Sequence, residues 1–120
     1  ETGPYVMYTH ARCMSVLRKC GDVDAAPDYS ALDDPEAQAV VRLIDDFPGV
    51  VRLAVERNEP SLVTRFSVEL AKAYNKFYYE HRILDDDLSA RAARVELTRA
   101  ASQTIKTALG LIGIEAPDRM

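Results

Sequence analysis

The sequence predicts an all-α fold, a bundle of about five helices in one domain over residues 1–120. Apolar residues recur three and four positions apart along most of the chain, as one face of a helix requires. No segment alternates polar and apolar residues at strand length between turn residues. With 120 residues, of which 48% are hydrophobic and 28% charged, the chain has the size and composition of a single globular domain.

The first predicted helix covers residues 5–20 and ends at Gly21. Its apolar face consists of Val6, Thr9, Cys13, Val16, Leu17 and Cys20. The helical rise separates Cys13 from Cys20 by about 10 Å along the axis, whereas a disulfide needs its α-carbons within about 7 Å. The sequence therefore predicts two free, buried thiols, which are typical of a reducing cytosol.

An acidic loop follows over residues 21–34, and its length indicates a segment that is either mobile or functional. Asp33 or Asp34 is expected to cap the second helix, because an aspartate side chain accepts from the first free backbone N–H groups. Pro35 then lies in the first turn, where its missing N–H is harmless.

A break is predicted near the middle of the chain. Phe47-Pro48-Gly49 contains the two residue types that interrupt helices most strongly, so the second helix should end near Asp46. A third, shorter amphipathic helix is then expected from Val50 to Arg57.

The fourth predicted helix runs from Pro60 to about Leu84 and separates apolar from polar positions. Within about 80° of Leu70 on the helical wheel lie Leu62, Val63, Phe66, Ala73, Tyr74, Phe77 and Tyr78. The residues that face the other way are Lys72, Asn75, Tyr79 and Arg82. This flank therefore offers an amide, a phenol and two cations outside the core.

The last helix is predicted over about residues 88–112, with Asp85-Asp86-Asp87 as its N-terminal cap. Its core face consists of Thr98, Ala101, Ile105, Ala108, Leu109 and Ile112, whereas Arg91, Arg94 and Lys106 should lie largely outside. Beyond the terminating glycine, Ile114 and Pro117 can pack and hold the tail. A held tail would place Arg119 and the thioether and carboxylate of Met120 at one position.

Charge is distributed unevenly along the chain. The net charge of −4 is unsuited to binding nucleic acid by bulk attraction alone. However, residues 22–46 hold eight acids and one base, whereas residues 5–19 hold three bases and no acid, and residues 91–107 hold four bases and one acid. A basic surface on the first and last helices is therefore compatible with an acidic loop elsewhere.

The usual catalytic and metal-binding motifs are missing from the sequence. It contains no glycine-rich phosphate loop after a strand, no G-x-S-x-G, no H-E-x-x-H and no C-x-x-C. His10 is predicted to be structural, and His81 to end a helix where the dipole favours a cation. No apolar run approaches the roughly 18 residues of a membrane span, and no signal peptide is visible. The prediction is a binding domain with no catalytic, cofactor or metal site.

Three segments form a recognisable pattern. They are Tyr5-Val6-Met7-Tyr8-Thr9-His10-Ala11-Arg12 with Leu17-Arg18-Lys19, Leu70-Ala71-Lys72-Ala73-Tyr74-Asn75-Lys76-Phe77-Tyr78, and Ala108-Leu109-Gly110-Leu111-Ile112-Gly113-Ile114-Glu115-Ala116-Pro117-Asp118-Arg119-Met120. In order and spacing they resemble the C-terminal domain of arginyl-tRNA synthetases. The chain departs from that pattern at Met7, usually Gln, at Tyr74, often Phe, and at Cys13, commonly aliphatic. None of these changes threatens the fold.

The resemblance implies an all-helical anticodon-binding domain of the DALR type, found at the C-terminus of several class I aminoacyl-tRNA synthetases. The parent enzyme would be cytoplasmic and would attach arginine to its tRNA with ATP and magnesium. Its catalytic domain would lie upstream of Glu1. The implied partners are the anticodon loop of the arginine tRNA and that catalytic domain, and no membrane.

Unpaired anticodon bases are held by stacking on aromatic rings and by hydrogen bonds to their Watson–Crick edges. The residues of this chain that supply such groups are Asn75, Tyr78, Tyr79, Arg82, Arg91 and Met120. Tyr78 or Tyr79 can stack on a base, and the amide of Asn75 both donates and accepts. Arg82 and Arg91 can engage a phosphate or the plane of a base.

Met120 is predicted to read the base. A middle cytosine is what the family generally recognises, and the carboxylate of Met120 can accept from its exocyclic amine while rejecting the carbonyl of uracil. Arg12 is expected either to contact RNA or to pair with an acid of the next helix. Tyr8, opposite Cys13 on the first helix, is expected to pack on the catalytic domain rather than on RNA.

Two other functions remain open. A helical protein-interaction module without RNA binding would suit the acidic net charge. The equivalent domain of another class I synthetase, such as the cysteine enzyme, is a second alternative, although the Arg119-Met120 terminus argues against it. Steep loss of tRNA affinity with rising salt would separate RNA binding from the protein-interaction function.

Overall fold

The computed structural model describes residues 2–22 and 24–120, and all regular structure in them is helical. Helix α1 spans Thr2–Cys20, α2 spans Pro35–Arg57, α3 spans Ser61–Glu80 and α4 spans Leu88–Leu111. A short 3-10 helix, Tyr29–Leu32, precedes α2. The predicted all-α class is therefore confirmed, but the described chain has four α-helices rather than about five.

The predicted break at Phe47-Pro48-Gly49 is wrong, because α2 continues through these residues. Phe47 stacks on Phe66 of α3 with ring centroids 5.1 Å apart, and Val50, one turn later, also packs against the core. Pro48 and Gly49 are exposed, so the missing backbone donor lies on the solvent side of the helix. Packing of the buried side outweighs the poor helix propensity of the exposed pair.

Aspartate side chains cap the N-termini of α2 and α4, as predicted. Asp34 accepts from the backbone N–H of Ala37 at 2.7 Å, directly before Pro35. Asp87 accepts from the N–H groups of Ser89 and Ala90 at 3.1 and 3.3 Å. These contacts satisfy donors that have no partner within the first turn of a helix.

Helix α3 ends at Glu80, four residues earlier than the Leu84 that the apolar pattern predicts. His81 has an extended backbone, with φ −133° and ψ 139°. Ile83 is nevertheless buried, because the connection to α4 folds back over the core. The predicted helix is therefore wrong for residues 81–84, and the arc around Leu70 did not include the buried Ile83.

The core lies where α3 packs against the other three helices. Leu70, Tyr74 and Phe77 are fully buried, as predicted. They belong to one core cluster that also contains Val6, Cys13, Val16, Val40, Ala101, Ile105 and Leu109. The hydroxyl of Tyr74 meets Oγ1 of Thr98 at 3.0 Å, which satisfies its hydrogen-bonding group. Each large apolar side chain contributes about 1.5–3 kcal/mol to docking the helices.

Both cysteines are free and buried, as predicted. Burial raises the pKa of the Cys13 thiol to about 12. Because the thiolate is the reactive form of cysteine, this thiol is held unreactive and acts as a small core residue.

The C-terminal tail is held against the bundle, as predicted. Gly113, at φ +81°, reverses the chain after α4, and the N–H of Ile114 donates to the carbonyl of Leu109 at 2.8 Å. This bond and the left-handed glycine are the marks of a Schellman motif. Further along, Nδ1 of buried His10 lies 2.8 Å from the carbonyl oxygen of Pro117. His10 is therefore structural, as expected, and it anchors the tail.

The second half of the acidic loop is tied to α4. The backbone N–H of Asp28 donates to the carbonyl of Ser89 at 3.0 Å, and the hydroxyl of Tyr29 donates to Glu96. Val23, in the first half of that loop, and Glu1 lie outside the described residues. Within the described chain, none of the helices combines the length and the apolar character that crossing a membrane requires.

Candidate nucleic-acid interface

An open cleft of about 720 Å³ lies between α1, α3 and the C-terminal tail. Helix α1 contributes Tyr5, Tyr8, Thr9, Ala11, Arg12, Ser15 and Arg18; α3 contributes Asn75 and Tyr79; and the tail contributes Arg119 and Met120. We call it the first cleft. It brings together three of the predicted binding residues, joining Met120 of the tail to Asn75 and Tyr79 of α3.

The guanidinium of Arg12 lies at the centre of this arrangement. It donates from Nη1 to Oδ1 of Asn75 at 2.8 Å and from Nη2 to the hydroxyl of Tyr79 at 2.9 Å. Its central carbon lies 4.4 Å from the ring centroid of Tyr78 and 4.9 Å from that of Tyr79. These partners are neutral, in contrast to the acid of the next helix that the sequence allowed. Within residues 2–22 and 24–120, Arg12 is thus oriented by neutral groups and forms no ion pair with a carboxylate.

The amide of Asn75 is fully engaged with neighbouring side chains. Besides accepting from Arg12, it donates from Nδ2 to the hydroxyl of Tyr5 at 3.0 Å and to Oγ1 of Thr9 at 2.9 Å. Asn75 is half-buried between α1 and α3 rather than pointing away from the packed side of its helix. Its direct effect in this structure is to position Arg12.

Three large side chains around the first cleft are exposed to solvent. Tyr79 is 71% exposed, Tyr8 is 60% exposed and Met120 is 59% exposed. Tyr8 lines this cleft, and its packing on a catalytic domain stays a prediction. The available signal was the spacing of Tyr8 and Arg12, one turn apart on the same stripe of α1. The sequence alone did not reveal that the tail comes back over this stripe.

Tyr78 and Arg82 line a neighbouring cleft of about 460 Å³. It shares Arg12 and Ser15 with the first cleft and is completed by Val16, Lys19, His81, Ile83 and Leu84. We call it the second cleft. The predicted polar flank of α3 therefore divides between two adjoining depressions that meet at Arg12.

Arg91 lies apart from the other predicted binding residues. It lines a small depression with Asp22 and Asp24 and donates from Nη2 to the carbonyl of Cys20 at 3.3 Å. Arg94, also expected outside, has a side chain only 16% exposed that contacts Asp85 at 3.2 Å. Of the four bases predicted between residues 91 and 107, Arg91 and Arg94 are therefore partly buried and engaged within the domain, whereas Arg99 and Lys106 are exposed on α4.

One cluster in the described chain has the chemistry of a metal-binding site. Ligand atoms of Asp34, Glu36 and His81 lie within 4.8 Å of one another, and Nε2 of His81 is 3.0 Å from Asp34 and 2.8 Å from Glu36. The hydrogen bond from His81 lowers the pKa of Glu36. The hydrogen bonds from His81 to the two carboxylates link the residue that follows α3 to the start of α2. We therefore interpret the cluster as a contact between helices.

The comparisons with known proteins agree on one family. The profile described as "DALR anticodon binding domain" matches residues 6–120. The arginine–tRNA ligase of Clostridioides difficile (strain 630) is 49% identical over 121 residues, which are 100% of this chain and 21% of that protein. The arginine–tRNA ligase of Ligilactobacillus salivarius (strain UCC118) is 47% identical over 120 residues, with the same two coverages.

A solved structure agrees. The Thermus thermophilus arginyl-tRNA synthetase matches with a TM-score of 0.88 and 35% identity, over 98% of this chain and 21% of that one. The chain spans about one fifth of the length of these relatives. All three relatives are arginine enzymes, which favours this assignment over the domain of the cysteine enzyme. The chain belongs to the DALR anticodon-binding domain family, and its type is that of the arginyl-tRNA synthetases.

Proposed function

We propose that this domain binds the anticodon loop of an arginine tRNA and holds one unpaired base in the first cleft. The observation that carries the proposal is the combination of two exposed tyrosine rings with a cation that forms no ion pair among the described residues. Tyr8, Tyr79 and Arg12 all line this cleft. RNA-binding domains use such groups to stack unpaired bases and to attract their phosphates.

Stacking supplies most of the affinity in this proposal. Each base that stacks on an aromatic ring contributes about 1–3 kcal/mol, and Tyr79 is exposed enough to stack without moving away from the core. Arg12 adds a cation whose orientation is already set by Asn75 and Tyr79. Because the guanidinium N–H groups of Arg12 are oriented before RNA binds, less conformational entropy is lost on binding.

Base selection is assigned to the tail. Cytosine presents an exocyclic amine where uracil presents a carbonyl, so an acceptor at that point favours cytosine. Met120 lies in the wall of the first cleft, and we assign it the acceptor role for a middle cytosine. His10 holds the preceding turn of the tail through Pro117, which keeps the selecting group in place.

The parent reaction belongs to the remaining four fifths of such a ligase. We propose that a catalytic domain there joins arginine to the tRNA with ATP and magnesium, in the cytoplasm, and that this domain orients the substrate tRNA. The free, buried thiols of Cys13 and Cys20 support a reducing compartment. In this assignment the domain contributes binding and selection, and it needs no cofactor of its own.

The proposal is tested with an RNA hairpin that carries the anticodon loop of the arginine tRNA. Tyr79→Ala should weaken its binding by about 5- to 150-fold, the equivalent of one lost stacking contact. Tyr29→Ala removes a tyrosine that is 58% exposed and lies outside both clefts, and it should leave affinity unchanged. Replacing the middle cytosine by uracil should weaken binding to the wild-type chain.

Two results would contradict RNA recognition at this cleft. One is equal binding of the cytosine and uracil hairpins, with Tyr79→Ala no weaker than Tyr29→Ala. The other is a wild-type affinity that does not fall with rising salt, since an RNA complex must release counterions. The second result would favour the protein-interaction alternative.

A further inference from the structure

We infer that the second cleft is a phosphate-binding subsite, which takes the phosphodiester group next to the base held in the first cleft. This inference rests on the proposed function. The two clefts adjoin at Arg12 and Ser15, which line both. A base in one cleft therefore leaves its flanking sugar and phosphate at the edge of the other.

The lining of the second cleft is basic. Arg12, Lys19 and Arg82 contribute cations, and Ser15 adds a hydroxyl. None of the described residues that line the cleft is a carboxylic acid. His81 also lines it, but its Nε2 already faces Asp34 and Glu36. Three cations around a hydroxyl are suited to a phosphate, whereas a neutral base needs stacking faces and edge-reading groups.

Arg82 combines a fixed backbone with an available side chain. Its carbonyl accepts from Nη1 of Arg94 at 3.0 Å, and Ile83 beside it is buried. These two contacts fix the position of the backbone. The side chain is 71% exposed and meets Asp86, itself 93% exposed, only at 3.8 Å. Such an exposed ion pair is weak, and a phosphate can displace it at little cost.

The test compares three substitutions that each remove one positive charge: Arg82→Gln, Lys19→Gln and the control Arg42→Gln. Arg42 is exposed on α2 and lines neither cleft. At low salt, Arg82→Gln and Lys19→Gln should each weaken hairpin binding by about three- to tenfold, and by the same factor for cytosine and uracil hairpins. Each should also reduce the slope of log affinity against log salt by about 0.7. Arg42→Gln should leave the slope unchanged.

A second measurement identifies the phosphate itself. Hairpins are prepared with a single uncharged methylphosphonate linkage on either side of the middle anticodon base. One of the two should weaken binding to the wild-type chain as much as Arg82→Gln does. The same linkage should weaken binding to Arg82→Gln little further, because both changes remove one contact.

The possible failures are distinguishable. If cytosine is still preferred over uracil but Arg82→Gln behaves like Arg42→Gln, the phosphate subsite is refuted and the base-binding cleft stands. Equal losses from neutral linkages throughout the loop would refute it as well, since the effect would then be bulk charge. If the wild-type chain shows neither hairpin affinity nor base preference, both the proposed function and the subsite are wrong.

Discussion

Removing the hydrogen bond between His10 and Pro117 should release the C-terminal tail without unfolding the bundle. The carbonyl oxygen of Pro117 can only accept, so Nδ1 of His10 carries the proton in this contact. His10→Phe keeps a ring of similar size in a site that is 2% exposed and removes the donor. The main loss is therefore one hydrogen bond rather than a cavity.

The size of the effect follows from that single bond. A typical hydrogen bond contributes about 1 kcal/mol net, which lowers the ratio of docked to undocked tail about fivefold. The core helices keep their packing, because the tail joins the bundle after α4 has ended at Leu111. We expect a local opening and a small change in the melting temperature.

Hydrogen exchange measures this opening directly. The backbone amides of residues 114–116 and 118–120 should exchange about fivefold faster in His10→Phe, and hairpin affinity should fall by no more than about fivefold, together with part of the preference for cytosine. His81→Phe makes the same chemical change away from the tail and should leave exchange of residues 114–120 unaltered. The reasoning is refuted if His10→Phe leaves tail exchange at the wild-type rate, or if the whole domain destabilises while the tail stays protected.

Two further substitutions test the helices. Pro48→Ala restores an N–H donor for the carbonyl of Ile44 on an exposed face of α2 and should raise the free energy of unfolding by about 1–3 kcal/mol; an unchanged or lower melting temperature would contradict it. Glu36→Gln tests the contact with His81, which lowers the pKa of Glu36 from its ordinary 4.5. Stabilisation from a lowered carboxyl pKa is present above 4.5 and is lost as pH falls through the folded-state pKa. Wild type should therefore exceed Glu36→Gln in stability at about pH 6 and lose that advantage towards about pH 3; a difference independent of pH in urea titrations would count against this contact.

The core of α3 illustrates what helical periodicity predicts well. The arc around Leu70 correctly included Tyr74 and Phe77, because side chains three and four positions apart must share a face of any helix. Periodicity failed at Ile83, where an apolar residue is buried from a non-helical connection. The break expected at Pro48 rested instead on helix propensity, and it was wrong because propensity is a local preference whereas the packing of Phe47 on Phe66 is a contact between two helices.

The candidate site, like the fold, was predicted only in part from the sequence. Tyr79, Asn75 and Met120 were identified as residues with suitable chemistry, and the structure brings them to one cleft. That Arg12 lies between Tyr78 and Tyr79, and that Asn75 orients it, depends on how α1 packs against α3. Arg91 had equally suitable chemistry but faces Asp22 and Asp24 at the opposite end of α4 from the tail.

Composition and periodicity alone determined that this chain is helical, where its caps lie, and which side chains form its core, because these properties depend on neighbours within a few residues. Only the tertiary structure decided that α2 runs unbroken and that Tyr8 joins the first cleft. It also decided that the tail, anchored by His10, completes that cleft. These features arise from contacts between residues far apart in sequence, 19 positions for Phe47 and Phe66 and 107 for His10 and Pro117. Such contacts are set by the packing of whole helices rather than by local sequence.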